Sequence, residues 1–414
     1  MLILALALRL AFALTRPADP AALAALPDQV EYVQTAQNFL HGRGFCFYDP
    51  VFTDTLYAYR MPGYPLFVAA CGAKVWIVRL VQCLLDASLV PAVFLLARRL
   101  GVTSGAAIIG LLFVAFNPLL IYFTSLVLSE TLFTALLVWG MLLVLHWRRS
   151  VFFAGLVLLV LSIYVRPSAI ALPVMIAVVT PLLRPTTGKR SFWRIPAGAT
   201  AVLLTVALLL PWAMRNRSVV KSWVWTTTNS GVTAYDGFNE FADGSSNQKS
   251  FRSWPELKAM TEVKRSEYLG TLAGEYASTH PRRVLKLAGQ KIGRTWSPVP
   301  LSGEYGSNRL YVLVGAVYAV PLFVGVLTGI GIARIDRAAK LFLLLPAIYF
   351  TAVHAMSVGS LRYRIPADVP MAVIAGAGAA AYWQRFKRPT KTGNDDRTVP
   401  HDADADDGPD RVPV

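Results

Sequence analysis

Charge is scarce in this chain. Only 15% of its 414 residues are Asp, Glu, Lys or Arg, against 55% hydrophobic, and the mean hydropathy is +0.49. A soluble domain carries nearer one charged residue in four, so an ordinary soluble globular fold is excluded. Cysteine is limited to Cys46, Cys71 and Cys83, whose spacing offers neither a paired framework nor a metal-ligand pattern. They read as small apolar residues. His41, His146, His280 and His354 stand alone, without the spacing a zinc site needs. No internal repeat appears, which removes the paired-halves signature of many secondary transporters. The net charge of +16 comes from bases scattered over separate short segments instead of one basic face. Nucleic acid is therefore not an expected partner, whereas anionic membrane lipids are.

What is abundant is apolar sequence of roughly the length that crosses a bilayer. Such runs lie at about residues 1–15, 76–97, 104–123, 128–147, 151–165, 168–183, 195–212, 310–333, 341–357 and 367–384. The first has no basic leader and is interrupted by Arg9, so it reads as a short first helix and not as a signal peptide, its shortness fitting a start upstream of Met1. The expected fold class is an all-α polytopic membrane protein of about ten transmembrane helices. With a cytoplasmic N-terminus, one side of the membrane collects Arg98 and Arg99; Arg148 and Arg149; Arg184, Lys189, Arg190 and Arg194; Arg334, Arg337 and Lys340; and Arg385, Lys387, Arg388 and Lys391. Asp336 is the only acid among them, the pattern of loops that stay inside. Both termini are then cytoplasmic.

Four parts follow along the chain: residues 1–212, a transmembrane module containing a long first outer loop at 16–75; residues 213–309, a small α-rich mixed block outside the membrane; residues 310–385, the last helices; and residues 386–414, a polar tail. Within the first loop, the apolar stretch 64–72 is too short to span and suits an element lying along the interface. In the outer block a helix is expected over 256–277, broken at His280-Pro281, followed by a second, basic helix leading to Trp296. The tail run Asp402-Ala403-Asp404-Ala405-Asp406 reads as a solvated charge cluster.

Two polar motifs stand out in the oily N-terminal third: Asp28-Gln29-Val30-Glu31-Tyr32 and Arg60-Met61-Pro62-Gly63-Tyr64-Pro65. By the loop parity above, Asp28, Glu31, Arg60, Glu130, Arg166, Arg215, Asn216, Arg362 and Arg364 all fall at one face of the membrane. Ionisable groups at membrane depth are costly and face a cavity or a partner. A carboxylate there can move a proton and a guanidinium can grip phosphate. Structural readings stand beside these. Asp28 after Pro27 suits a helix cap, with Glu31 as its capping-box acid. Glu130 suits an acid at a helix N-terminus. Arg166-Pro167-Ser168 suits a turn with a snorkelling Arg. Asn216-Arg217-Ser218 matches a glycosylation sequon, a weak pattern.

Taken in order, these motifs resemble one family. Asp28 to Tyr32, then Gly42-Arg43-Gly44-Phe45 and Arg60-Met61-Pro62-Gly63-Tyr64-Pro65-Leu66-Phe67, are similar to the first loop of GT-C glycosyltransferases of the protein O-mannosyltransferase and aminoarabinose transferase type. Leu128-Ser129-Glu130-Thr131-Leu132-Phe133, Arg166-Pro167-Ser168, Pro211-Trp212-Ala213-Met214-Arg215-Asn216 and Arg362-Tyr363-Arg364-Ile365-Pro366 resemble later signatures in the same order, over about residues 1–385.

The resemblance implies a GT-C-type bundle that transfers a sugar, with inversion, from a polyprenyl-phosphate donor to a lipid, glycan or protein acceptor outside the cytoplasm. It implies Asp28 and Glu130 as the catalytic acids and Arg60, Arg215, Arg362 and Arg364 as donor-phosphate contacts. Glu31, Tyr32, Tyr64, Arg166 and Asn216 would support them. No cofactor is implied, and a divalent metal is left open. The modest outer block around Thr227-Thr228-Asn229-Ser230-Gly231 resembles bacterial members, which favours undecaprenyl phosphate and an inner membrane. Two rival classes remain: a transporter or flippase, and an O-antigen ligase-like enzyme, which normally relies on a large late outer loop.

Overall fold

The apolar runs fold as helices whose ends coincide with their polar and proline interruptions. The computed structural model describes residues 1–183, 196–301 and 306–386, and it is mostly helical, 73%, with almost no strand. Arg184, Lys189, Arg190, Arg194, Lys387, Arg388, Lys391 and the acidic run at 402–406 lie outside the described residues.

The N-terminal part runs α1 (Leu2–Leu14), α2 (Pro20–Ala24) and α3 (Pro27–Leu40). A two-stranded antiparallel hairpin follows, β1 (Phe47–Asp49) and β2 (Asp54–Leu56), with Phe47 opposite Leu56 and Asp49 opposite Asp54. Then come α4 (Gly63–Ala70), a short helix over the stretch 64–72 that is too short to span, α5 (Val75–Ala87), α6 (Leu89–Arg99), α7 (Ser104–Ala115), α8 (Pro118–Thr124), α9 (Glu130–Leu143), α10 (Arg149–Val165) and α11 (Leu172–Val179). Asn117 sets the start of α8, its side chain accepting from Leu119 N–H and Leu120 N–H with Pro118 at the first helical position.

The second half contains α12 (Ala197–Val220), α13 (Asn229–Gly237), α14 (Pro255–Lys258), α15 (Glu262–Thr279), α16 (Pro281–Thr295), α17 (Arg309–Ile332), α18 (Arg337–Ala355) and α19 (Ile365–Phe386). The break at His280-Pro281 falls where the sequence puts it. The boundary drawn at 212 does not: α12 runs on to Val220 and stops at Lys221, whose φ of 58° is a left-handed helix stop.

Among the described residues, five helical segments are long and apolar enough to cross a membrane: Val75–Arg99, α12, α17, α18 and α19. A sixth is gained if α7 and α8, bent by 45° at their junction, count as one span. The other runs expected to span fold as the shorter apolar helices Leu2–Leu14, Glu130–Leu143, Arg149–Val165 and Pro167–Leu182. Each is shorter than the roughly 20 residues of a perpendicular crossing.

Helix α19 is the hub, buried without a break from Ile365 to Gly378 between α7 and α17. Two glycines allow that contact. A Cβ on Gly376 would stand 2.3 Å from the Ala106 carbonyl oxygen, and one on Gly378 would stand 2.1 Å from that of Gly325. Small residues let backbones touch where lipid gives helices no hydrophobic reason to associate. Nearby, the wholly buried Arg9 on α1 pairs with Asp86 on α5 at 2.5 Å and donates to the carbonyls of Val114 and Ala115. That pair stitches α1 to the ends of two other helices.

The block after α12 does not stand alone. Phe47, Phe52, Leu56 and Tyr59 of the first loop share one buried cluster with Val232, Phe251, Leu257 and Leu269. The hairpin is thus part of the late block's core. At its turn end, Arg252 pairs with Asp49 and Arg265 with Asp54, the latter at 3.2 Å.

Gly376→Val and Gly378→Val are expected to lower stability by about 1–3 kcal/mol or more through overpacking. Gly105→Ala, with open space around its Cβ, is expected to leave stability unchanged or slightly raised. Thermal unfolding of the detergent-purified full chain measures this, and wild-type melting of Gly376→Val would contradict the close α7–α19 contact.

Candidate active site

Helix α3 begins at Pro27 with Leu26 as its cap residue, and no side chain bonds to its first turn. Asp28 and Glu31 are therefore not cap and capping-box acid. Both carboxylates turn to Arg60, which arrives from the strap after β2. Arg60 Nη2 lies 2.5 Å from Asp28 Oδ1 and 2.6 Å from Glu31 Oε2, and its Nε donates to the same Glu31 oxygen at 2.7 Å. The guanidinium also lies over the rings of Tyr32 and Tyr59, 5.5 Å from each centroid.

A second guanidinium reaches Asp28 from the far end of the sequence. Arg362, in the 3-10 turn Leu361–Tyr363 that precedes α19, donates from Nη1 to Asp28 Oδ2 at 3.1 Å and from Nε to Glu130 Oε1 at 2.5 Å. Glu130 opens α9 with its side chain wholly buried, and it has Arg166 Nη2 at 3.4 Å as a further partner. Arg166 ends α10, so it is a turn residue as its sequence suggests, but its charge faces Glu130 and not the lipid surface. The turn after it is held by α18, whose Tyr349 hydroxyl donates to Ser168 O at 2.8 Å.

The result is an unbroken chain of alternating charge: Glu31, Arg60, Asp28, Arg362, Glu130, Arg166. Three carboxylates face three guanidiniums, so the cluster is formally neutral. Burying any one of these charges alone would cost several kcal/mol. The most exposed members are Asp28 at 28% and Arg362 at 26% side-chain exposure, with Arg60 next at 19%, which marks the middle of the chain as the side open to a ligand. Burial pushes the Asp28 carboxyl upward, but Arg60 and Arg362 together outweigh it and hold the group below the usual carboxylate range. Glu31 goes the other way: burial, with the charge of Asp28 added, raises it despite Arg60. Adjacent carboxyls with opposed shifts are a recurring sign of divided acid–base roles.

Other predicted residues are placed as support or elsewhere. Tyr64 is fully buried, packs edge-on against Tyr32 at 4.7 Å between centroids, and donates its hydroxyl to Gln82 Oε1 at 2.6 Å. Arg215, Arg364 and Asn216 do not join the cluster. Arg215 spends its guanidinium on the carbonyls of Tyr57 and Phe45, at 2.7 and 2.8 Å. Arg364 is buried beside Asp368 and donates to Ser297 O at 2.6 Å. Asn216 is buried and donates to Val224 O at 2.8 Å, which also removes it as a glycosylation acceptor. An apolar groove of about 610 Å³ between Ile109–Pro118 and Leu313–Tyr318 is lined by none of the charged residues of the cluster.

Three contributors were not among the candidates named from the sequence. Gln29 accepts from Val127 N–H at 2.9 Å and so pins α3 to the loop that delivers Glu130. Gln82, a lone amide in the apolar α5, donates to the carbonyls of Thr124 and Leu126. Tyr363 stacks on His354 with centroids 3.7 Å apart and lies under the Arg166 guanidinium. A polar side chain inside an apolar run was the available signal for Gln82; Gln29 and Tyr363 stood within motifs whose charged neighbours drew the assignment. Among the described residues no group of three His, Cys, Asp or Glu is arranged to hold a metal ion.

Arg362→Ala is expected to cost about 3–5 kcal/mol, because it strands the buried Glu130 with Arg166 as its remaining charged neighbour. Adding Glu130→Gln is expected to recover most of that loss, a coupling that thermal unfolding of the single and double variants measures. An Arg362→Ala protein as stable as wild type would undo the assigned ion pairs.

In comparisons with known proteins, no family model and no curated protein sequence matches this chain.

Proposed function

We propose that this chain is an integral membrane glycosyltransferase that moves a sugar from a polyprenyl-phosphate donor to an acceptor hydroxyl, with inversion, outside the cytoplasm. The observation that carries the reading is the convergence of Asp28, Arg60, Glu130, Arg166 and Arg362 into one charged cluster at the edge of an apolar helical bundle. The topology adopted for it is ten spans, the shorter apolar helices included, with both termini cytoplasmic and the 221–301 block outside. The donor is of the undecaprenyl type and the acceptor a lipid, glycan or protein.

In the reaction the acceptor oxygen attacks the anomeric carbon from the face opposite the phosphate. The new C–O bond forms as the bond from carbon to phosphate oxygen breaks, the hydroxyl proton passes to a carboxylate, and polyprenyl phosphate leaves. Negative charge grows on the phosphate as that bond opens, so Arg60 and Arg362 stabilise the transition state more than the bound donor. Asp28 lies between these two guanidiniums and takes the proton. Before the donor binds it is a weak base, because both arginines depress its proton affinity. A phosphate that draws the arginines toward itself leaves burial as the dominant influence on Asp28, and its basicity rises. Glu130 holds Arg362 and Arg166 from behind. The reading requires no cofactor.

A transporter has one observation on its side: the buried pairs Arg9–Asp86 and Arg364–Asp368 lie within or at the start of apolar helices. Both pairs are sealed from solvent, whereas the cluster at Asp28 is partly exposed.

Membranes bearing equal amounts of each variant are given radiolabelled polyprenyl-phosphate sugars. Asp28→Ala and Arg60→Ala are each expected to lose about 10²-fold or more in transfer. Wild-type rates in either variant would sink the site assignment. The pH profile separates the carboxyls. Glu31 lies above its ordinary value of about 4.3 and so is protonated first as pH falls, whereas Asp28 stays ionised. The acid limb of kcat/KM is therefore expected to belong to Glu31 and to vanish in Glu31→Gln. The acid limb of kcat, measured with donor bound, is expected to persist in Glu31→Gln, since Asp28 has by then regained its basicity. Loss of the kcat limb in Glu31→Gln would count against Asp28 as the base.

A further inference from the structure

The backbone on which Arg60 stands is held from outside its own loop. Tyr57 N–H donates to Glu262 Oε2 at 3.0 Å, and Ala58 N–H donates to Glu262 Oε1 at 3.1 Å. From the other side Arg215 Nη1 donates to Tyr57 O at 2.7 Å, and Thr228 N–H donates to Ala58 O at 2.9 Å. Every backbone donor and acceptor of two consecutive residues is thus met by Arg215, Thr228 or Glu262. A strand normally obtains such partners from a neighbouring strand. Here a carboxylate replaces it, and its hydrogen bonds are of the stronger, charge-assisted kind.

Glu262 is built to stay in place. It is the first residue of α15, where the helix N-terminus favours negative charge, and it is 7% exposed. One turn on, Arg265 donates to the carbonyls of Leu257 and Met260, each at 2.8 Å, and lies 4.0 Å over the Phe52 ring. Helix α13 is pressed against α15 at Gly231, where a Cβ would stand 1.8 Å from Ser266 O. The strap itself has no room to drift: Ala58 is fully buried and Tyr59 is 4% exposed. Two residues after Ala58, the Arg60 side chain meets Asp28 and Glu31.

We propose that Glu262, seconded by Arg215, is a positioning residue for the reaction: it fixes the Tyr57–Ala58 strap and, through it, the guanidinium of Arg60. This rests on Arg60 being the donor-phosphate contact. Glu262 has no ion pair with any member of the charged cluster, so its effect on transfer passes through the strap. The role needs two acceptor oxygens aimed at two successive amides. Gln keeps one and turns an amide nitrogen against the other N–H, so Glu262→Gln breaks the grip while conserving shape and volume.

Two measurements on the full chain in nanodiscs test this. The first needs no substrate: hydrogen exchange at the Tyr57 and Ala58 amides is expected to be about tenfold faster in Glu262→Gln than in wild type, with the interior of α15 unchanged. Arg215→Gln, which releases the strap without touching α15, is expected to act in the same direction on the segment around Tyr57. Unaltered exchange in the strap overturns the proposal, whatever the protein catalyses. The second is a double-mutant cycle on transfer from radiolabelled undecaprenyl-phosphate mannose and undecaprenyl-phosphate aminoarabinose in separate arms. Glu262→Gln alone is expected to lose about 10- to 100-fold in kcat/KM with a raised donor KM, and to add nothing to the loss in Arg60→Ala. The exposed Glu267→Gln on the same helix is expected to behave as wild type. Losses that multiply would mean Glu262 does not act through Arg60, and the proposal fails. If wild type transfers no sugar in either arm, the glycosyl-transfer reading fails for these donors while the exchange result still decides the clamp.

Discussion

Arg362 is the residue on which the rest of the site depends. Its guanidinium joins two carboxylates 334 and 232 positions earlier in the chain, Asp28 in the first turn of α3 and Glu130 at the start of α9. No local element could make that connection. It requires α19 to run through the middle of the bundle, so that the turn before it emerges between α3 and α9. The glycines that let α19 touch α7 and α17 therefore serve the charged cluster as much as the apolar core. A shift of that helix by one turn, about 5.4 Å, would carry Arg362 away from both acids.

The cluster and the bundle obey different physics. Packing in the apolar helices depends on small residues and close backbones, because lipid offers no hydrophobic gain for helix association. The cluster depends on exact pairing of charge, because an unpaired carboxylate in a buried place costs more than any single pair contributes. Between the two lies a third kind of support. The hairpin at 47–56 and the strap at 57–60 are neither apolar helix nor charge cluster, and they take their order from residues 215–269 through shared aromatic packing and through backbone hydrogen bonds. The late block and the first loop, distant in sequence, are one folding unit in effect.

That arrangement explains which parts were legible in the sequence. Helix positions were, because long apolar runs flanked by Arg, Asn and Pro leave little choice of secondary structure; each of the runs maps onto a helix or a bent pair. How many of them are long enough to cross was not, since α9 stops at Leu143, short of the polar His146 and Arg148, and Arg166-Pro167 ends α10, so both helices are shorter than their apolar composition suggests. Asp28, Arg60, Glu130, Arg166 and Arg362 could be gathered on one side by parity alone. Arg215 and Arg364 satisfied the same test and yet serve backbone carbonyls and Asp368, because sidedness fixes the end of a helix and not the direction of its side chain. Asp28 and Glu31 also fitted a capping box, and only the position of Arg60 decides otherwise. Glu262 was hidden for the opposite reason: an acid next to Thr261 at the start of a helix is sufficiently explained by the helix dipole.

On the proposed reading, neutrality in the donor-free site has a consequence for the order of events. A sugar bound through phosphate to a polyprenyl chain is a phosphodiester with one negative charge, and the departing lipid phosphate is a monoester carrying about −1.5 to −2. The donor therefore enters a balanced cluster with a small excess of negative charge and leaves it with a larger one. Arg60 and Arg362 meet that change by exchanging carboxylate partners for phosphate oxygens. Asp28, deprived of both, is also the group that receives the acceptor's proton, so its own charge is cancelled as the charge on phosphate grows. Glu130 cannot make that exchange, since its side chain is sealed and Arg166 stays beside it. The two acids thus divide the work by burial: the enclosed one keeps the guanidiniums in place, and the open one titrates.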